Sequence, residues 1–174
     1  MSIIIREAQS DDVNSIAGLL ISNWQKTYKG LLPDDYLNGM DINYGKDKWL
    51  TFLNQDEHTI LVAYQGNIFL GFGAFHRDDD IRDCLYLSSL HISEESRGKG
   101  IGTRLIQAIG NYAFQNKYAC ISICIIKGNE KAKNLYIKLG AIHYKDFTDD
   151  IDGIEVESEK LIWNNLELFN PLLK

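Results

Sequence analysis

The sequence is poor in the features that mark linkers, repeats and membrane spans. Only two of its 174 residues are proline, and no stretch is repetitive or of low complexity. No apolar run approaches the roughly 20 residues that a transmembrane helix requires. A chain of this length without linkers is long enough to bury a core of its own. We therefore expect one globular domain over residues 1–174.

Cysteine is also scarce, and the three cysteines do not form an obvious disulfide framework. On one strand, Cys120 and Cys124 would lie about 13 Å apart at about 3.3 Å per residue, whereas a disulfide requires a Cα separation below about 7 Å. The odd number and the lack of a CxxC pair are typical of reduced thiols in a cytosol. The first residues, MSIIIREA, lack the basic region of a signal peptide. These features predict a cytoplasmic protein.

Positive charge is outnumbered, with 18 lysines and arginines against 24 acidic residues and a net charge of −6. Such a balance argues against broad binding to nucleic acids or to anionic membranes. A cationic or amine partner is better suited to a protein of this negative net charge. An acidic chain is nevertheless common among soluble enzymes, so charge alone does not identify the function.

Several catalytic patterns are missing. The four histidines have no metal-ligand spacing, which predicts that the protein has no metal site: His58, His76, His91 and His143. The sequence also has neither a GxSxG elbow nor a Cys–His signature of covalent catalysis. A reaction without a covalent enzyme intermediate is therefore expected.

The hydrophobic patterns that are present predict a mixed α/β (α+β) fold. Strands are expected at IIIREA, on either side of Gly66-Asn67, at CLYLSSLHI, at YACISICII and in two closing segments, 141–147 and 154–163. Helices are expected after a cap at Asp11 or Asp12, over 44–53, from Gly100, and from Asn129 to a stop at Gly140. The first strands should be antiparallel, and the later ones should be joined through helices.

One segment is rich in glycine and basic residues, SEESRGKGIGTRLI at 93–106. It lies between a predicted strand and a predicted helix, where a helix start offers free N–H groups and partial positive charge. Glycines would let those groups approach phosphate oxygens closely. The segment therefore predicts a pyrophosphate site, with charge added by Arg97, Lys99 and Arg104. The alternative is an ordinary turn, and the spacing fits neither a Walker loop nor a dinucleotide fingerprint.

Two motifs resemble those of a known family. Arg97-x-x-Gly100-x-Gly102 resembles the R/Q-x-x-G-x-G/A signature of the GNAT superfamily, the acyl-CoA-dependent N-acetyltransferases. NEKAKNLYIKLG, from Asn129 to Gly140, is similar to its N-x-x-A-x-x-x-Y-x-K-x-G segment, and WQKTYKGLLPDDYL is similar to a bacterial branch. The resemblance implies the GNAT fold, a mixed central sheet of about six or seven strands, splayed in the middle, with flanking helices.

The resemblance implies acetyl-CoA (coenzyme A) as cosubstrate and assigns residues to it. Leu90 and Ile92 would pair with the pantetheine arm, and Asn129 would begin the helix that carries Tyr136. Tyr136 would hydrogen-bond to the cofactor sulfur, although a tyrosine on an apolar helix face is usually a core residue. The turn would bind the diphosphate through the backbone of Arg97, Gly98, Lys99, Gly100, Ile101, Gly102 and Thr103.

The leaving-group chemistry limits what Tyr136 can do. A thiol has a pKa of about 8.5 and a tyrosine of about 10, so full proton transfer from the tyrosine to a thiolate is uphill by ~2 kcal/mol. We therefore expect Tyr136 to stabilise the departing thiolate by hydrogen bonding.

The resemblance also implies transfer of the acetyl group to a primary amine of a small molecule or peptide, by direct attack on the thioester. Homodimers are common in the family. Trp24, Tyr28 and Tyr86 would lie on the acceptor side, although Trp24 and Tyr28 are equally typical of core anchors.

Tyr86 stands where many members of the family carry a glutamate. The resemblance therefore does not identify the general base that deprotonates the amine. Its substitutes in the sequence are His76, Asp83, His91, Glu94 and Glu155. The missing glutamate also supports an alternative function, a non-catalytic acyl-CoA-binding sensor of the same fold.

Overall fold

Seven strands form one mixed sheet in a computed structural model that describes residues 2–170. Met1 and residues 171–174, the two ends of the expected domain, lie outside the described residues. The sheet has the order β1-β2-β3-β4-β5-β7-β6. Its strands are β1 (Ile3–Glu7), β2 (Thr59–Gln65), β3 (Ile68–Arg77), β4 (Cys84–Ile92), β5 (Cys120–Ile126), β6 (Ile142–Ile151) and β7 (Ile154–Trp163).

Helices cover both faces of the sheet. They are α1 (Val13–Thr27), α2 (Asp34–Asn38), α3 (Ile42–Leu53), α4 (Ile101–Gln115) and α5 (Glu130–Lys138). On β2, Ile60 and Val62 pack with α1 and α3. Leu61 and Ala63 alternate with them and point to α4 on the opposite face. The alternation explains why β2 is apolar almost throughout.

The middle of the sheet is splayed. β4 and β5 are parallel, and they pair only at Cys84–Tyr86 with Cys120–Ser122. Beyond these three residues the two strands separate. The predicted α/β fold, the strand number and the splay are therefore confirmed.

The structure corrects the prediction for the cysteines. Cys84 and Cys120 form a disulfide, with 4.7 Å between their Cα atoms, and Cys124 is free. The two residues are 36 positions apart in the sequence and meet because they are directly paired on β4 and β5. The expectation that the thiols are reduced is therefore wrong for this pair.

Two local features differ from the sequence analysis. The sequence does not predict α2, because five residues are too few to show a helical hydrophobic period. Asp12 precedes α1 but makes no side-chain capping bond to it. Its carboxylate instead accepts hydrogen bonds from Arg6, the Gln9 backbone and Tyr64. Asp12 thus joins the start of α1 to β1 and β2.

None of the helices within residues 2–170 combines the length and the hydrophobicity needed to cross a bilayer.

Candidate active site

A cavity of about 850 Å³ lies where β4 and β5 separate. Its walls come from the end of α1, the second half of β4, the turn before α4, β5 and the start of α5. Leu90 and Ile92, which the resemblance assigns to the pantetheine arm, line it from β4. β4 has lost β5 as a partner along this stretch, so its backbone faces the cavity. An extended ligand could pair with it as an added strand.

The glycine-rich turn forms one end of this cavity. Gly98 and Gly100 have φ angles of +74° and +78°, which residues with side chains rarely adopt. Gly100 is the N-cap of α4, so the free N–H groups of the first helical turn follow it. The predicted residues on the cavity wall are Arg97, Gly98, Gly100, Ile101, Gly102 and Thr103, whereas Lys99 is exposed and does not line the cavity.

The Arg97 side chain is engaged in hydrogen bonds within the protein. It donates a 2.8 Å hydrogen bond to Oδ1 of Asn23 on α1 and a 3.4 Å bond to the Ile92 carbonyl. Nδ2 of Asn23 donates to the same carbonyl at 3.1 Å. Arg97 therefore fastens the turn to α1. Asn23 is only 5% exposed, and its position within a helix gave no sequence signal for this role.

Tyr136 lies in the cavity wall, on the buried face of α5, and its side chain is 5% exposed. Burial, and secondarily the neighbouring Tyr28, raise the pKa of its phenol above the ordinary value. The phenol is therefore protonated at neutral pH and can act only as a hydrogen-bond or proton donor to an anion.

Asn129, Trp24 and Tyr28 line the same cavity, so the structure brings these predicted residues together with Tyr136. Asn129 caps α5, with Oδ1 accepting from the Ala132 N–H at 3.4 Å. Burial raises the pKa of the Tyr28 phenol, and the Asn129 side chain opposes that shift without cancelling it. Trp24 packs edge-on against the Tyr28 ring, with centroids 5.0 Å apart.

Tyr86 is the exception, because it lines a second cavity of about 230 Å³ and not the first. Cys124 lines both cavities and therefore lies where they adjoin. Burial and the adjacent Cys124 raise the pKa of Tyr86 above the ordinary value. Tyr86 is therefore protonated at neutral pH and does not replace a glutamate as a base. The other residues of the wall are His76, Asp78, Asp79, Asp80, Lys145, Phe147, Asp149 and Lys160.

Three of the five substitute bases are poorly placed. Asp83 and Glu155 line neither cavity, and Glu94 is ion-paired with Lys26. His91 lines the first cavity, but burial and then Arg97 lower its pKa to about 4.

The protonation of His91 follows from its neighbours. Because Oδ1 of Asn23 accepts from Arg97, its amide nitrogen is the atom 3.4 Å from Nδ1 of His91. Nδ1 is then the acceptor, so the neutral ring carries its proton on Nε2. Nε2 therefore cannot take a proton from an amine.

His76 has the opposite tautomer. Its Nδ1 lies 2.7 Å from the Arg77 carbonyl, so that nitrogen must donate and Nε2 of the neutral ring has a free lone pair. His76 pairs with Tyr86 across β3 and β4 and lines the second cavity.

A cluster of one histidine and two carboxylates lies outside both cavity walls. His143, Asp146 and Glu159 place possible ligand atoms within 4.8 Å of one another. Lys127 and Lys133 already pair with the two carboxylates, each at 2.9 Å. The cluster is therefore a network of ion pairs on the β6–β7 face.

The comparisons with known proteins agree with this geometry. The Acetyltransferase (GNAT) family profile matches residues 21–141, which include the wall of the first cavity, the turn and Tyr136. The chain belongs to the GNAT acetyltransferase family. It is an N-acetyltransferase that uses acetyl-CoA as its cosubstrate and an amine as its acceptor.

Individual relatives of this GNAT protein extend over nearly its full length. An uncharacterised N-acetyltransferase of Bacillus subtilis (strain 168), YuaI, is 24% identical over 98% of both chains. The thialysine N-epsilon-acetyltransferase of Sus scrofa is 23% identical over 85% of this chain and 87% of its own. The PaiA N-acetyltransferase of Thermoplasma acidophilum, solved with coenzyme A, has a TM-score of 0.73 at 21% identity, covering 91% of this chain and 98% of that one.

Proposed function

We propose that the enzyme transfers the acetyl group by direct attack of the amine on the thioester, in the cleft between β4 and β5. The backbone from Arg97 to Thr103 binds the diphosphate, and β4 pairs with the pantetheine arm through Leu90 and Ile92. Tyr136 hydrogen-bonds to the sulfur as it leaves. The observation that carries this proposal is the cavity, which joins the left-handed glycine turn to a buried, protonated phenol.

We propose that the acceptor enters from the second cavity, past Cys124. That wall holds the four carboxylates of Asp78, Asp79, Asp80 and Asp149, against two lysines. A small aliphatic amine that carries a second positive charge suits this excess of negative charge. The name of the porcine relative, a thialysine N-epsilon-acetyltransferase, agrees with a small amine.

The amine must lose a proton before it attacks. With a pKa near 10.4, only about one primary amine in 2,500 is neutral at pH 7. His76 is the substitute base that offers a free lone pair at a cavity on the acceptor side. We propose that Nε2 of His76 accepts this proton, directly or through ordered water.

The domain organisation, the location, the oligomeric state and the partners of the protein stay predictions. We propose one domain over residues 1–174 and a cytoplasmic, homodimeric protein without nucleic-acid or membrane partners. The disulfide is unusual for the cytosol, where thiols are usually reduced, and cell fractionation with the protein's location as the readout tests the cytoplasmic proposal.

The proposed function is tested by thiol release from acetyl-CoA in the presence of matched amines. Propylamine and 1,3-diaminopropane have the same carbon chain and differ in the second amine. We expect kcat/KM to be up to about fivefold higher for the diamine, because one weakly screened ion pair contributes up to about 1 kcal/mol. Asp149→Asn should reduce that preference without affecting acetyl-CoA binding.

Two results would contradict the proposal in different ways. Equal rates for the two amines would show that the acidic cavity does not bind the acceptor. Binding of acetyl-CoA by calorimetry, without thiol release for any amine of a broad panel, would favour the sensor function instead.

A further inference from the structure

His91 places a hydrogen-bond donor on the wall of the first cavity. It stands between Leu90 and Ile92 on β4 and lines the cavity with them. Successive side chains of a strand point to opposite faces of the sheet. Leu90 and Ile92 pack with residues of α4, whereas the half-buried His91 ring lies against Phe72, with ring centroids 5.4 Å apart. Phe72 packs with residues of α1, so the His91 ring reaches the cavity from the α1 side.

A chain of hydrogen bonds fixes which nitrogen of His91 carries the proton. Arg97 donates to Oδ1 of Asn23 at 2.8 Å, which leaves the Asn23 amide nitrogen to donate elsewhere. That nitrogen lies 3.4 Å from Nδ1 of His91 and 3.1 Å from the Ile92 carbonyl. Because an amide nitrogen is a donor only, Nδ1 accepts and the neutral ring holds its proton on Nε2. Asn23 thus determines the tautomer of His91.

Nε2 of His91 is a donor whose proton is not used within the part of the chain that the structure describes. The hydrogen bond of this ring to residues 2–170 is the one at Nδ1. In the same range, the buried side-chain atoms without a partner are Oδ1 of Asn111 and Oγ of Ser158, so Nε2 is not buried. Because the ring lines the first cavity, this donor is available to a molecule bound there.

The chemistry of this donor selects the group that it can bind. Burial, and secondarily the neighbouring Arg97, lower the pKa of His91 to about 4, so the ring is neutral at neutral pH. An ammonium group has donors and no acceptor, so it cannot pair with Nε2–H. A carbonyl oxygen is an acceptor and can. This side of the cavity therefore suits the carbonyl groups of a cofactor better than a charged amine.

We propose that His91 is a binding residue for the pantetheine arm, donating from Nε2 to one of its amide carbonyl oxygens, and that Asn23 is the positioning residue that keeps the proton on Nε2. In the proposed function the arm lies along Leu90 and Ile92, so its amide groups pass the residue between them. The inference rests on that function, since it requires acetyl-CoA to occupy the first cavity. It assigns to the cofactor a histidine that the sequence offers as a substitute base.

The test compares two ligands by isothermal titration calorimetry. Coenzyme A carries the arm, whereas its nucleotide portion has the same adenosine and phosphates without it. His91→Phe keeps an aromatic ring against Phe72 and removes both nitrogens. We expect this variant to bind coenzyme A about fivefold more weakly, the effect of one neutral hydrogen bond, with the affinity for the nucleotide portion within about twofold of wild type.

His91→Gln is the matched variant that separates the donor from the ring. Glutamine loses the aromatic packing, but its amide nitrogen is a donor near the position of Nε2. We therefore expect His91→Gln to bind coenzyme A more tightly than His91→Phe does. A role in packing alone predicts the reverse order. Thermal unfolding of both variants shows whether each is folded.

Asn23→Ala tests the positioning role through nitrogen NMR of the imidazole at neutral pH. The wild-type His91 ring should carry its proton on Nε2 alone. Without the amide donor at Nδ1, we expect a measurable share of the ring to carry it on Nδ1. This spectrum reports the tautomer in the free protein, so it does not depend on how the variant affects the glycine turn.

Three binding results would overturn the role of His91. These are unchanged coenzyme A affinity in His91→Phe, equal losses for coenzyme A and its nucleotide portion, or weaker binding in His91→Gln than in His91→Phe. A tautomer that is the same in wild type and in Asn23→Ala would overturn the role of Asn23.

The wild-type protein separates these failures from a failure of the proposed function. If it binds coenzyme A but releases no thiol with any amine, the proposed function fails and the role of His91 in binding stands. If it binds neither ligand, both are wrong. Normal wild-type turnover with any of the three binding results removes the role of His91 alone.

Discussion

At the scale of single residues, one substitution changes how the amine can lose its proton. Tyr86 occupies the place of the glutamate that the resemblance leads us to expect. Its buried phenol stays protonated, since burial and Cys124 raise its pKa. Directly paired residues on neighbouring strands lie on the same face of a sheet. His76 is the residue paired with Tyr86. A ring nitrogen that can accept a proton therefore lies on the strand next to the position where the glutamate is expected.

His76→Gln tests this assignment. Glutamine keeps a hydrogen-bonding side chain but cannot take up a proton, so we expect kcat/KM for the amine to fall at least about tenfold at pH 7. The loss should shrink as the pH approaches the amine pKa, because more amine is then already neutral. The measurement is the pH profile of thiol release.

His58→Gln is the control for His76. The His58 ring stacks on His76 at 4.7 Å but lines neither cavity. Its replacement should leave the rate and the pH profile nearly unchanged. Equal losses for the two variants would mean that ring packing, and not proton acceptance, explains the effect of His76.

At the scale of elements, the turn between β4 and α4 combines two requirements. Gly98 and Gly100 need left-handed backbone angles, and the N–H groups that follow them begin a helix. The basic side chains contribute less than their number suggests, since Arg97 is engaged with Asn23 and Lys99 lies off the cavity wall. Backbone amides are therefore the groups of this element that we propose bind the diphosphate.

Gly100→Glu should abolish acetyl-CoA binding, because it adds a carboxylate where the diphosphate would lie. Isothermal titration calorimetry of the folded variant is the measurement. Gly153→Glu is the matched control, since Gly153 also has a positive φ, +85°, and open space at its Cβ position. The control reproduces the backbone strain in the β6–β7 turn, and it should bind normally. Unchanged affinity in Gly100→Glu would contradict the assignment of the turn.

At the scale of the whole molecule, a buried ion pair joins the end of β3 to β7. Nζ of Lys160 lies 2.8 Å from Oδ2 of Asp78, and the two side chains are 4% and 2% exposed. Burial raises the pKa of Asp78, but hydrogen bonds from Lys160 and Ser122 outweigh it, and the net pKa lies below the ordinary value. A carboxyl with a depressed folded-state pKa stabilises the fold above its unfolded-state pKa, and this contribution is lost as pH falls.

Asp78→Asn should therefore destabilise the protein by about 3–5 kcal/mol at pH 7, because Lys160 would be left buried without its main partner. The difference from wild type should shrink as pH falls below about 4, where Asp78 is itself protonated in the unfolded chain. Urea unfolding across this pH range is the measurement. Asp146→Asn, at an exposed pair with Lys127, should have a much smaller effect. A difference that is independent of pH would contradict the role of the Asp78 charge.

The sequence predicts those parts of the molecule whose signals are local. The strand and helix periods, the glycine turn and the α5 segment all lie within short windows, and the structure places them as expected. Cys84 and Cys120 meet only through strand pairing, and Asn23 reaches Arg97 across 74 positions. The position of Tyr86 in a separate cavity likewise depends on where β4 and β5 diverge. Such contacts depend on the tertiary fold, so no local pattern predicts them.

A crystal structure with bound coenzyme A tests the central claim most directly. We predict that the two bridged phosphates contact main-chain nitrogens in the 97–103 segment, with the sulfur within hydrogen-bonding distance of the Tyr136 hydroxyl. A ligand whose phosphates lie away from this turn, or whose sulfur lies far from Tyr136, would contradict the account.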